Sequence, residues 1–364
     1  MKKLLFLTTC LTLNFFCALA QTEPGSLSGT VTDSAGNRPI AGASVFLNST
    51  SRGTATHSDG SFVLNGIPGG KFELVVSAIG YSTFVTKING GHLPPSLNIV
   101  LHQKATELTA LTVEPSLEDG WQRFGKIFTD NFIGTLSNSS SCTLQNRKAL
   151  KFHFHKKSNY LTVTADEPLI ITNGALGYVI QYKLEQFVID FNTHVVLYEG
   201  YPFFQEEATE HPGRLRKWEE NREAAYKGSI MHFMRDLYQG EWKKDGFAIM
   251  GGVRQPDSLI RMLPIRGDSL VTVNEDQTKN LFFNGTLVIT FGDPAKDPRF
   301  QQSTIRLVTP EAVQFGANGS YYPPQELLVS GFWGQSEKIE NLLPLDYAQP
   351  PEPPVKDEGK TRVN

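Results

Sequence analysis

From Ser26 to about Leu101 apolar residues recur at every second position: Leu27, Gly29 and Val31, then Ala43, Val45 and Leu47, then Phe72, Leu74, Val76 and Ala78, then Leu97, Ile99 and Leu101. Successive side chains of a strand point to opposite faces, so this period predicts strands with one face buried and one face wet. Turn chemistry separates the runs, at Asp33–Asn37, at Ser58-Asp59-Gly60 and at Ile67-Pro68-Gly69-Gly70. About seven short strands at this spacing predict a small β-sandwich.

The period changes after Val113. Glu114-Pro115-Ser116 breaks the strand pattern, and Trp121, Phe124, Ile127, Phe128 and Phe132 then recur at helical spacing. Ser116 is the expected N-cap, with Glu118 and Asp119 in the first turn. Ser137–Ser141 reads as a loop. Strand patterns return from Leu150 to about Phe204, with a turn signal at Asn173-Gly174. A single long amphipathic helix is expected from Leu215 to Tyr238, with Leu215, Trp218, Ala225, Tyr226, Ile230, Phe233, Met234 and Leu237 on one face. Strands resume near Gly246, and the chain closes through "LLPLDY" into a proline-rich, charged tail too poor in apolar residues to fold.

The stretches "GTVTDSAGNRPIAGASVFL", "GTATHSDGSFVLNGIPGGKFELVVSAIGY" and "LNIVLHQKATELTALTV" resemble the carboxypeptidase regulatory-like domain, a prealbumin-like seven-stranded β-sandwich. The resemblance covers roughly residues 25 to 113 and departs at His57, where Thr or Asn is more typical. It implies a module without chemistry of its own, set beside another domain such as a peptidase or an outer-membrane nutrient receptor. "WQRFGKIFTDNFIGT", "ADEPLIITNGALGYVIQYKLEQFVIDF", "KWEENREAAYKGSIMHFMRDLY" and "LLPLDY" resemble the companion region of uncharacterised secreted proteins of Gram-negative bacteria, which brings no known active site. The expected fold class is mainly β, with an α+β second domain built of antiparallel sheet and two amphipathic helices. The expected organisation is a signal peptide at 1–20, the sandwich at 25–104, a linker at 105–117, an uncharacterised α+β domain at 118–347 and a disordered tail at 348–364.

Composition adds the compartment. Met1-Lys2-Lys3, the apolar run Leu4 to Phe16 and Ala18-Leu19-Ala20 form a secretory leader, with cleavage expected before Gln21. Losing Lys2 and Lys3 leaves 32 basic against 37 acidic residues, a formal charge of about −5, which does not suit nucleic acid. Cys10 and Cys17 leave with the leader, so Cys142 stands alone and forms no internal disulfide. Cys17 follows Phe15-Phe16 rather than a small residue, which argues against a lipid anchor. No later apolar run reaches the length of a spanning helix. The expected location is the periplasm or the outer-membrane periphery and cell surface.

A zinc carboxypeptidase needs an HxxE pair and a distant histidine, because the metal takes three fixed ligands and an open position for water. None of the eight histidines is followed by Glu at the third position, and no HExxH occurs. GxSxG, SxxK and GxxxxGK[ST] are also missing.

Weaker constellations remain, each with a structural explanation beside the functional one. "KFHFHKK" places Lys151, His153, His155 and Lys157 on one strand face, where lysines repel a cation; a solvated face explains them. Arg222, Ser229, His232 and Arg235 share a helix and suit an anionic ligand or, more simply, pairing with Glu219, Glu223 and Asp236. Glu206, Glu207, Glu210 and His211 crowd a loop before the second helix, where acid–base work competes with the pull of the helix dipole. Tyr321-Tyr322 and Phe332-Trp333 make either an aromatic platform for a sugar or peptide or, more simply, core packing. Cys142 reads as a structural thiol. No catalytic, cofactor-binding or metal-binding residue is therefore assigned. The expectation is a non-enzymatic envelope protein that binds a protein or glycan partner, with two alternatives: an envelope hydrolase acting on peptide or glycan, and a soluble accessory of outer-membrane nutrient uptake.

Overall fold

The computed structural model describes residues 24–104, 115–254, 260–296 and 300–349. The leader, most of the 105–117 linker and all but the first two residues of the tail lie outside these. The N-terminal body has seven strands, β1 (Gly25–Asp33), β2 (Ser44–Leu47), β3 (Gly53–Ala55), β4 (Ser61–Ile67), β5 (Lys71–Ser77), β6 (Phe84–Asn89) and β7 (Leu97–Leu101). They form two sheets, β4-β1-β7 and β3-β2-β5-β6, with β1 and β7 parallel and the other pairs antiparallel. The alternating residues meet between the sheets: Leu27, Val31, Val45, Leu47, Leu74, Val76, Ile99 and Leu101 are all buried, around Phe62. Gly29 is buried under that ring, where a Cβ would lie 2.6 Å from it.

One part of the pattern breaks the alternation. Phe46 and Val75, register partners on β2 and β5, face away from the sandwich core and are nonetheless buried. The reason lies in the second body.

That body begins with α1 (Gly120–Phe132), followed by β8 (Cys142–Leu144), β9 (Leu150–His155), β10 (Tyr160–Ala165), β11 (Leu169–Asn173), β12 (Tyr178–Asp190) and β13 (Val195–Glu206). The sheet runs β8-β11-β12-β10-β9, and β13 pairs along the other edge of β12. Phe124, Phe128 and Phe132 of α1 lie on it against Phe152, Tyr182 and Phe187. The cap of α1 is Asp119, without a side-chain hydrogen bond, rather than Ser116. The chain enters the helix tightly because Leu117 N–H already donates to Phe152 O at 2.9 Å. Ser137–Ser141, read as a loop, is a 3-10 turn.

The expected long helix is two helices, α2 (Pro212–Tyr226) and α3 (Ile230–Gln239). Lys227 is extended, Gly228 has φ +80° and Ser229 caps α3, its Oγ accepting from His232 N–H at 3.1 Å. A serine that bonds the backbone three residues on starts a helix better than it continues one, and a left-handed glycine ends the one before. Leu215 is exposed, not on the buried face, which in α2 is Trp218, Arg222 and Tyr226.

Strands β14 (Phe247–Arg254), β15 (Ile260–Pro264), β16 (Val271–Val273), β17 (Lys279–Leu281), β18 (Thr286–Phe291), β19 (Gln301–Leu307), β20 (Val313–Phe315), β21 (Tyr321–Tyr322) and β22 (Leu327–Gly331) follow, then α4 (Phe332–Ser336). They make two antiparallel sheets, β15-β14-β18-β19-β22 and β16-β17-β20-β21. Phe233, Met234 and Leu237 of α3 sit in their shared core with Trp333. Among the described residues no helix is long and apolar enough to cross a membrane.

The sandwich is fastened to β13 and to the C-terminal segment. Thr50 makes a parallel bridge with Phe203, with Phe204 N–H donating to Thr50 O at 3.0 Å and Ser49 N–H to Pro202 O at 2.8 Å. Leu345 N–H donates to Ser49 O at 2.6 Å. Asp346 accepts from Ser51 N–H (2.9 Å) and Ser51 Oγ–H (2.6 Å), and Arg52 Nε lies 3.2 Å from it. Phe203 packs on Phe46 at 5.4 Å between ring centroids. Burying a ring of this size stabilises the joint by roughly 1.5–3 kcal/mol, which explains an apolar residue on the supposedly wet face.

Candidate functional site

The sequence candidates scatter. On β9, Phe152 is buried while Lys151 pairs with Asp166 at 3.3 Å and His155 stacks on Tyr160 at 4.0 Å, as alternation requires. Lys157 falls in the turn after β9, off that face. Glu206 is not in a loop: it ends β13 opposite Tyr178 and pairs with Arg222 at 3.5 Å. Glu210 and His211 are exposed, and no acid occupies the first turn of α2, so the helix dipole does not account for the acidic run. Trp333 is core, its Nε1–H donating to Gly228 O at 2.7 Å. Tyr322 is exposed under the ammonium of Lys87, 4.0 Å from the ring centre, across the joint. Burial pushes the Cys142 thiol up to about 12, so it is a protonated, unreactive side chain at neutral pH.

The two arginines serve the backbone. Arg222 donates to Leu176 O (2.7 Å) and Gly177 O (3.3 Å), holding the β11–β12 turn beside Trp218. Arg235 donates to the carbonyls of Asn318, Leu345 and Tyr347, at 3.0 and 3.1 Å, and so ties α3 to the segment that clamps the sandwich. Neither pairs with Glu219, Glu223 or Asp236; Glu223 pairs with Lys227 instead.

Two constellations hold several titratable groups together. The first is His232, Asp236 and Asp245, whose ligand-type atoms lie within 4.8 Å of one another. His232 Nδ1 accepts from Gly228 N–H at 3.1 Å, which leaves the ring proton of a neutral imidazole on Nε2. Nε2 therefore presents a hydrogen, not a lone pair, to Asp236 Oδ2 at 3.2 Å, and this tautomer does not ligate a cation there. The contact is off the line a hydrogen bond needs, so buried Oδ2 is left without a donor. Burial, with Arg235 and Lys227 near, pushes His232 down to about 4. Burial, then the charges of Asp245 and Glu241, pushes Asp236 up to about 7. Tyr226, Phe247 and Phe291 pack on the ring of His232, at 4.7, 5.0 and 5.6 Å between ring centres, and His232 and Asp236 are both buried. The spacing of His232 and Asp236 on one helix was legible; Asp245, from the next loop, was not.

The second is a cleft of about 370 Å³ between the two bodies. The sandwich contributes Ser82, Thr83 and Lys104; the β12–β13 hairpin contributes Glu185, Glu199 and Tyr201. Glu185 sits at a β-bulge between Leu184 and Gln186, which turns its carboxylate toward the sandwich, where it accepts from Thr83 Oγ–H at 2.7 Å. Burial, and then the carboxylates of Glu185, Glu73 and Glu199, raise the Tyr201 hydroxyl to about 12, so it stays a hydrogen-bond donor. Lys183, the register partner of Tyr201, is buried beside these groups, and burial followed by the charge of Lys104 lowers its pKa.

Residues 27–113 match the CarboxypepD_reg-like domain family, a span that takes in the seven strands except the first two residues of β1. The N-terminal body is a CarboxypepD_reg-like domain. No curated protein matches the chain. Similar solved structures include a type II cohesin–X-dockerin complex from Acetivibrio cellulolyticus, at 19% identity over 21% of this chain and 57% of that chain, TM-score 0.20. A putative carbohydrate binding protein from Bacteroides uniformis matches at 7% identity over 85% of this chain and 100% of that one, TM-score 0.20. A putative membrane-associated protein of unknown function from Bacteroides fragilis matches at 12% identity over 84% and 93%, TM-score 0.17. The chain spans 57% and 56% of the first two matched chains, both cohesin–X-dockerin complexes. At these TM-scores the likenesses carry no argument about fold or function. The CarboxypepD_reg-like module thus supplies one wall of the cleft, and the body behind it the other.

Proposed function

We propose that the protein is an exported, non-enzymatic envelope protein in which the CarboxypepD_reg-like module is held against a larger α+β body that binds a partner. The observation that carries this reading is the joint. Asp346 and β13 fix the module by main-chain and charged hydrogen bonds, and the open cleft is built from both bodies at once. A module fastened this way makes a surface that neither body has alone. The closed setting of His232 and Asp236, and the missing zinc carboxypeptidase and serine hydrolase motifs, favour binding over turnover.

The test is retention from envelope extract by immobilised protein beginning at Gln21. A partner held at fixed stoichiometry is the expected result, and a barrel receptor in that fraction would favour the nutrient-uptake role. Turnover of a peptide or glycan by purified protein, abolished on replacing a buried carboxyl or imidazole, would overturn the reading.

A further inference from the structure

The cleft at the joint holds charges of both signs. Lys104, Glu185 and Glu199 line it, Lys183 lies buried beside its register partner Tyr201 rather than in the lining, and among the described residues no ion pair within 4 Å joins any of the four. Exposed charges of opposite sign gain little by pairing, so modest restraints keep them apart. Here they are held apart: Lys183 by its buried stem, and Glu185 by the bulge and by Thr83. The hydroxyls of Ser82, Thr83 and Tyr201 line the space with further donors and acceptors. The space of about 370 Å³ equals about a dozen waters at ~30 Å³ each, room enough for a small molecule such as a dipeptide.

Resting on the binding reading above, we propose that this cleft takes a small zwitterion, its carboxylate toward Lys104, with the charge of Lys183 behind it, and its ammonium toward Glu185 and Glu199. The chemistry is that of a free amino acid or a short peptide with both ends free. A neutral sugar satisfies the hydroxyls and leaves the lining charges of Lys104, Glu185 and Glu199 unpaired, so it gains least from the arrangement. An anion alone meets two carboxylates, and a cation alone meets the ammonium of Lys104.

Calorimetric titration of the purified full chain with four probes tests this: alanyl-alanine, its N-acetyl derivative, its C-terminal amide, and N,N′-diacetylchitobiose. Alanyl-alanine is expected to bind, and each single-charge derivative to bind roughly tenfold more weakly or worse, since each strands one charge pair. The disaccharide is expected not to bind. Titration with alanine then separates the two sources: equal affinity assigns the site to free amino acids, tighter binding of the dipeptide to peptides. Glu199→Gln, on an exposed side chain that folding does not need, and Lys183→Met, which keeps the buried stem, are each expected to weaken alanyl-alanine roughly tenfold. Failure of alanyl-alanine and alanine to bind, indifference of binding to Glu199→Gln, or a disaccharide affinity equal to the dipeptide's would overturn the zwitterion proposal while leaving a partner retained from extract intact. Release of alanine from the dipeptide would instead overturn the non-enzymatic reading and leave the ligand chemistry standing.

Discussion

The cluster on α3 and the cleft at the joint are made of similar side chains, carboxylates with nitrogen bases, and behave in opposite ways. In the cluster, His232 is closed in by two rings and takes a proton donor from Gly228, so its chemistry is spent on holding the helix start. In the cleft Lys104, Glu185 and Glu199 line open space without an ion pair among them, so their charges are left for something else. Residue type alone does not separate the two; solvation and the identity of the nearest backbone donor do.

The largest expected effect tests how firmly the cluster is closed. Gly228→Ala places a Cβ at φ +80°, against Gln301 Oε1 and 2.7 Å from the Phe291 ring. A loss of about 2–4 kcal/mol in urea unfolding is expected, from left-handed strain and overpacking together. An unchanged midpoint would mean that the α2–α3 break is not held as described.

Asp346→Ala attacks the cleft instead, stranding Ser51 N–H, Ser51 Oγ–H and Arg52. A cost of about 1–3 kcal/mol is expected, with faster hydrogen exchange at Ser51 and weaker alanyl-alanine binding, because Ser82, Thr83 and Lys104 belong to the module.

Protonation sharpens the contrast further. Burial pushes Asp236 up to about 7 from 3.8, and desolvation pushes half-buried Glu337, which accepts from Ile230 N–H at 3.0 Å, up to about 7 from 4.5. Folding therefore favours their protonated forms, and the stability they contribute is full below about pH 4 and fades as pH rises to 7. His232 works against them: its folded value of about 4 lies below the free value of 6.5, so its contribution is full above 6.5 and is lost as pH falls toward 4. Between 4 and 6.5 the opposed effects partly cancel, and above 6.5 only the decline remains. Asp236→Asn is expected to raise stability at pH 8 by about 1–2 kcal/mol, discounted for the solvent at exposed Asp245, and to leave the residual slope to Glu337. Thermal melts from pH 4 to 8 on both proteins measure this.

The smallest effect belongs to the acidic run before α2. Glu210→Gln is expected to change stability by less than about 0.5 kcal/mol and to leave dipeptide affinity untouched, since Glu210 is exposed and remote from the cleft lining. A large loss of affinity would place the ligand elsewhere.

The module's strands were written into the chain because alternation is a local property: each buried residue of β1, β5 and β7 is announced by its neighbours two positions away. The aromatic stripe of α1 was legible for the same reason at a different period. The break between α2 and α3 was visible as Gly228-Ser229 but outweighed by an apolar pattern that ran through it, a case of a local stop signal losing to periodicity. The joint and the cleft were beyond such reading. Phe46 meets Phe203, Ser51 meets Asp346 and Thr83 meets Glu185 across 100 to 300 residues of chain, and whether Lys183 ends buried or Asp245 joins Asp236 depends on which surfaces the completed sheets press together. Sequence by itself determined the elements and their wet and dry faces, because hydrophobic period acts over a few residues; the tertiary structure alone decided which charges are spent and which remain open, because desolvation is set by everything that packs around them.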